Sequence, residues 1–227
     1  MGAVERVVRT RTNAWCRGDG ALSSRGDPGC PGATIRGMTA SEDTPRDRLL
    51  AALARVVAER GLAGATVAEV VRQAGVSKRT FYEHFTDRDD GFLALHQLAS
   101  DAALQTLRRA VDPAQPWQDQ VERALGAYFA HLAAGPALLR ALFVDIHHLG
   151  EPGARARRGV MDALATFMRD TVNRGRPAAQ PLEPAVAVAA VGAITELVLL
   201  AIERNEQADL VGLVPVASAI VRRLAQV

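Results

Sequence analysis

From Pro45 onward, apolar residues recur at helical spacing in one segment after another, and no stretch alternates as a half-buried strand does. That regularity restricts the chain to an all-α fold. The first segment sets the pattern: Leu49, Leu50, Leu53, Val56 and Val57 repeat at intervals of three, four and seven. Thr44 is suited to cap this helix, Pro45 to its first position, and Asp47 to the positive end of its dipole. Gly61 is expected to end it.

About nine helices follow from the same reading. Thr66 and Glu69 have capping-box spacing: the Thr hydroxyl takes the Glu69 amide, and the carboxylate is expected to reach back to the Thr66 amide. Gly75 stops this second helix after two turns, and Ser77 caps a third, from Lys78 to about Phe85. Two short helices joined by Ala74-Gly75-Val76 form a helix-turn-helix unit. A long helix follows Thr86-Asp87-Arg88-Asp89 and runs to about Ala110. A fifth follows Pro116, and a sixth carries Leu138, Leu139, Leu142, Phe143 and Ile146. Residues 150–153 read as a loop, because two glycines flank Glu151-Pro152. Helices over about 154–173, 184–204 and 208–226 complete the chain, the last beginning or kinking at Pro215.

The ends and the charge narrow the class. Of the 227 residues, the first 37 hold six Arg against Glu5, Asp19 and Asp27, so they carry +3 while the whole chain carries only +2. The basic balance therefore belongs to this segment and is no argument that the folded part binds nucleic acid. Seven of the 19 glycines and both cysteines (Cys16 and Cys30) also lie there. Residues 1–43 read as a disordered extension without the apolar core of a secretory signal, and Met38 is a candidate start. With no cysteine beyond Cys30, the folded part has no disulfide, which fits a cytoplasmic location. Ala185 to Ile202 holds Glu196 as its only charge. A bilayer span needs about 20 predominantly apolar residues, and a mid-span acid is costly there. The reading is a buried helix, with no membrane. Together with the last helix it would complete its burial against a second copy, making a homodimer through about 184–204 and 208–226.

The run Thr66 to Phe85 carries the functional signal. Stepping round the third helix places Phe81 and Phe85 together on one side, as an anchor to Leu53, Val57, Val67 and Val70. Lys78, Arg79, Tyr82 and Glu83 fall on the outward side, and His84 nearer the core. A capped helix start bearing Lys and Arg suits the DNA major groove, where either pairs with guanine for about 1–3 kcal/mol of discrimination. Tyr82 and Lys78 are placed for phosphates, as are the amide ends at Thr66 and Ser77.

At these residues the chain resembles the TetR family of bacterial transcriptional regulators. The likeness runs from about Arg46 to Leu95. It is strongest over Thr66-Val67, Ala74-Gly75-Val76-Ser77-Lys78 and Thr80-Phe81-Tyr82-Glu83-His84-Phe85. The resemblance implies an N-terminal DNA-binding domain, over residues 44–90, and a dimerising, ligand-binding domain over 91–227. It implies DNA contacts from Thr66, Lys78, Arg79, Thr80, Tyr82, His84 and Arg88. It also implies a repressor released from a near-palindromic DNA operator when an unidentified small molecule moves the long fourth helix.

Candidates to line the ligand cavity are Trp117, Tyr128, Phe143, Met161, Phe167 and Met168, with His131 and His147 as polar groups. His147 and His148 point apart on a helix, so no metal site and no cofactor are expected. An enzyme is not expected either, since the chain has no HExxH, GxSxG, Walker or GxGxxG pattern. The alternative is a helical protein-interaction module whose Lys78 and Arg79 are merely solvated.

Overall fold

The structure is a computed structural model that describes residues 44–176 and 180–226. The expectations for residues 1–43 lie outside it. Among the described residues there is no strand. Helix α1 spans Pro45–Gly64, and the Thr44 hydroxyl accepts from the Asp47 amide at 3.1 Å. Gly61 has φ 71°, so the expected stop appears as a break followed by one further turn. Helices α2 (Val67–Ala74) and α3 (Lys78–His84) form the helix-turn-helix. Gly75 sits in the left-handed region at φ 65°, and the Val76 amide returns to the Val71 carbonyl at 3.1 Å. This is the helix-ending conformation that glycine adopts most cheaply.

Helix α4 spans Arg88–Ala110, and Asp87 caps it by accepting from the Asp90 amide at 2.8 Å. Helices α5 (Trp117–Ala133) and α6 (Pro136–Phe143) follow. Ile146, expected within α6, instead lies in a separate 3-10 turn, Asp145–Leu149. The expected loop at 150–153 is not there: α7 runs from Gly150 to Asn173. Gly150 makes the turn at φ 60°, and a Cβ on Gly153 would lie 2.1 Å from the Ile146 carbonyl oxygen. These glycines serve a sharp entry and a close backbone approach within a helix. Helix α8 spans Pro184–Glu203, then a 3-10 segment Gln207–Leu213 leads into α9, Val214–Leu224, with Pro215 in its first turn.

Helix α8 is long and apolar enough to cross a membrane by length and composition. In this fold it is a core helix on one face: Ala187, Val191, Ile194 and Val198 are buried, and α8 packs on α7 and α9. Its other face leaves Val188 and Leu200 exposed.

The buried apolar residues form two clusters. One gathers Leu49, Leu53, Val57, Val70, Phe81, Phe85 and Phe92 from α1 to α4. The other gathers residues of α4, α5, α7, α8 and α9 around Phe129, Val172 and Val198. Helix α6 contributes to both.

Candidate DNA interface and ligand cavities

The second and third helices are held from below by aromatic packing. Phe81 and Phe85 are almost fully buried with their rings 5.5 Å apart. The Arg46 guanidinium lies 5.5 Å from the centre of the Phe85 ring, a cation–π contact that sequence reasoning missed. With one side of α3 anchored, its other side faces outward. Lys78 and Arg79 are exposed at its first turn, and Tyr82 is 58 % exposed. The Tyr82 ring stands edge-on to Phe81 at 5.5 Å, which orients the phenol outward.

Both caps form as the residue types dictate. The Ser77 hydroxyl accepts from the Thr80 amide at 3.0 Å and lies 2.9 Å from the Thr80 hydroxyl. The Thr66 hydroxyl accepts from the Glu69 amide at 3.3 Å. The reciprocal half of the capping box is absent. The Glu69 carboxylate is taken by Arg72, at 2.5 and 3.1 Å, and by Arg60 at 3.4 Å. The Arg72 hydrogen bond holds that carboxyl below its usual range. Two cations outcompete one backbone amide for the same oxygens.

The other candidates divide. Arg79 is paired with Glu83 at 3.1 Å, yet 89 % of its side chain is exposed. An exposed pair of this kind is worth about 0–1 kcal/mol, so a phosphate or guanine displaces it readily. His84 is exposed rather than core-facing, with its ring 6.5 Å from Phe85. Arg88 is occupied inside the unit: it donates to the Leu62 carbonyl at 3.2 Å and pairs with Asp89 at 2.6 Å. Nothing in the local sequence marked Leu62 as its partner, because that contact closes across 26 residues.

Two cavities lie among the later helices. The first, about 50 Å³, is walled by α4, α5, α7 and α8, and Tyr128, Phe167, Met168 and Thr195 line it. The second, about 70 Å³, lies between α4, α5 and α6, and Tyr128, His131, Leu138, Leu139 and Phe143 line it. Of the sequence candidates, Tyr128, His131, Phe143, Phe167 and Met168 therefore face a cavity. Trp117, Met161 and His147 line neither. Trp117 packs against Gly175, where a Cβ would lie 2.9 Å from the indole. The Met161 sulfur lies 3.6 Å from the Thr195 hydroxyl, and His147 is exposed in the 3-10 turn. Sequence reasoning missed Thr171, Thr195 and Ser100, three hydroxyls on mostly apolar walls. Among the described residues, no three His, Cys, Asp or Glu side chains group as metal ligands.

A capped recognition helix, anchored by two phenylalanines and presenting Lys, Arg and Tyr outward, defines a helix-turn-helix DNA-binding protein. Residues 49–95 match the model of bacterial regulatory proteins of the tetR family. Over these residues, which hold the helix-turn-helix, the chain is similar to this family of transcriptional regulators.

The transcriptional activator FasR of Mycolicibacterium smegmatis is 27 % identical over 151 residues, which cover 66 % of this chain and 68 % of FasR. Two solved structures share the fold. The fatty acid degradation regulator FadR of Bacillus halodurans is 20 % identical with TM-score 0.67, covering 77 % of this chain and 96 % of that one. FadR of Bacillus subtilis, solved with stearoyl-CoA, is 17 % identical with TM-score 0.63 and the same coverage.

Proposed function

We propose that the protein is a homodimeric, ligand-released repressor that grips a near-palindromic operator with two copies of α3. The observation that carries this is the outward face of α3, where Lys78, Arg79 and Tyr82 stand exposed on a helix anchored by Phe81 and Phe85. Lys78 and Arg79 read base edges. Tyr82, His84 and the capped ends at Thr66 and Ser77 take phosphates, and Thr80 supports the helix start. Arg88 acts by holding α4 to Leu62 rather than by touching DNA. Residues 44–90 form the DNA-binding unit and 91–227 the regulatory one.

The exposed apolar side chains support the dimer. Val188 and Leu200 on α8, Val211 in the 3-10 segment and Val216 on α9 all lie outside the core. A second copy brought against α8 and α9 covers them. A two-fold dimer sets its recognition helices about 34–36 Å apart, one turn of DNA.

The ligand is an apolar chain. The two cavities have almost wholly apolar walls, and the stearoyl-CoA seated in the Bacillus subtilis regulator is the precedent. At about 50 and 70 Å³, each cavity holds only a few atoms. A chain-like ligand must part the helices, so it favours a conformation different from this one.

Selection of bound sequences from random DNA tests the reading. Enrichment of a two-fold symmetric site with half-sites one turn apart is the expected result, and no enrichment overturns it. A second reading, activation, is favoured by the name of the mycobacterial relative. The position of the selected site relative to the promoter separates the two: overlap means repression, an upstream site activation.

A further inference from the structure

We propose that Tyr128 and His131 form the polar anchor of the ligand site and hold a carbonyl oxygen at the head of a hydrocarbon chain. The inference rests on the ligand reading above and specifies which atoms recognise the ligand. Tyr128 lines both cavities and is buried, with its ring at the boundary between them. Its hydroxyl makes no hydrogen bond among the described residues, although a buried phenol almost always finds a partner. His131 lines the second cavity, and its imidazole is likewise without a hydrogen bond or ion pair among the described residues.

The remaining side-chain hydroxyls on the walls are already engaged. Ser100 donates to the His96 carbonyl at 2.8 Å, and Thr195 donates to the Val191 carbonyl at 2.9 Å. Thr171 accepts from Arg174 at 3.3 Å. Among the polar side chains on the walls, the phenol and the imidazole are the two that make no hydrogen bond among the described residues, and they stand three residues apart on one face of α5.

Their chemistry selects the head group. Burial pushes the Tyr128 phenol well above its ordinary range and the His131 imidazole below its own. Both are therefore neutral near pH 7, and each offers one donor. Two neutral donors suit the lone pairs of one carbonyl oxygen. No cation lines either cavity, so nothing there balances a fully charged head. The hydrocarbon then runs past the Tyr128 ring toward Phe167 and Met168. A free carboxylic acid and an acyl thioester both present the required carbonyl.

The test uses the full chain, Tyr128→Phe and His131→Phe, with melting temperatures confirming that both variants fold. Probes are saturated acids of eight, twelve and eighteen carbons, their CoA thioesters, and octane as the chain without an oxygen. Each substitution is expected to weaken the carbonyl probe that binds by about tenfold, as loss of one hydrogen bond does, and to leave the octane-induced rise in melting temperature unchanged. Comparing acids with thioesters identifies the source of the carbonyl. Equal affinity in wild type and variants overturns the anchor while leaving the ligand reading intact. Octane binding lost in parallel also overturns it, since the effect is then on cavity shape. If no carbonyl probe binds the wild type, both the anchor and the ligand reading fall.

Discussion

Leu138 and Leu139 are neighbours in α6 yet are buried in different cores. Leu138 packs with the cluster of α1 to α4 that carries the recognition helix, and Leu139 with the cluster of the regulatory helices. Both also line the second cavity. Helix α6 therefore touches the second cavity and the helix-turn-helix unit at once, and α1 is among its main packing partners. A molecule that enlarges that cavity pushes on a helix already seated against α1.

Leu138→Ala should separate ligand binding from DNA release. Removing a buried leucine costs about 2–5 kcal/mol, so the melting temperature falls. The specific signature is in the coupling. The ratio of operator affinities with and without ligand should move toward one, measured by titration of operator DNA at saturating ligand. Leu139→Ala, which opens the cluster of the later helices instead, should be destabilising by a similar amount.

Lys78→Ala and Arg79→Ala should weaken operator binding and flatten its dependence on salt, because each removes a cation from the contact face. If either side chain pairs with a guanine, discrimination at that base falls by about 1–3 kcal/mol. Glu83→Gln should act oppositely. It releases Arg79 from the 3.1 Å pair and removes a negative charge from the same face, so affinity for unrelated DNA rises. Fluorescence anisotropy on operator and scrambled DNA at several salt concentrations measures all three.

How much of this was legible in the sequence follows the range of the forces. Caps at Thr44, Thr66, Ser77 and Asp87 are local, involving residues three apart, so they read directly. The Phe81–Phe85 anchor is local as well, since one helix turn separates its members. Glu69 was misread because its carboxylate answers to Arg60 as well as to its own helix. The start of α7 was misread because Gly150 and Gly153 look like loop residues until the Ile146 carbonyl is brought against them. The cavities were half legible. Aromatic residues at helical spacing mark an inward face, but which of them reach a void depends on how α4, α5 and α7 cross. Trp117 shows the limit: its place is decided by the room that Gly175 leaves.

Gly153→Ala should destabilise more than Gly75→Ala, although Gly75 has the unusual backbone. At Gly75 a Cβ meets nothing within 4 Å, so the cost is only that of a left-handed alanine, about 1–2 kcal/mol. At Gly153 the added carbon would sit 2.1 Å from a backbone oxygen, and the 3-10 turn must move away from α7. Thermal unfolding of the two variants should show the larger drop for Gly153→Ala. Its operator affinity should fall too, because Ile146 in that turn belongs to the core of the DNA-binding helices.

Stability should decline as the solution is acidified below the ordinary histidine range. Burial lowers the pKa of His96 and of His131 from the usual 6.5. Well above pH 6.5 both are uncharged folded or unfolded, so they contribute nothing there. As pH falls through 6.5, the unfolded chain takes up protons that the folded one resists, and the folded state loses ground until its own depressed pKa values are reached. His96 is the more buried of the two, and its Nδ1 has no hydrogen-bond partner to offset a charge. His96→Leu should therefore flatten the pH dependence, most visibly in melting temperatures compared between pH 7.5 and 5.5. An unchanged slope in that variant would place the acid sensitivity in other groups.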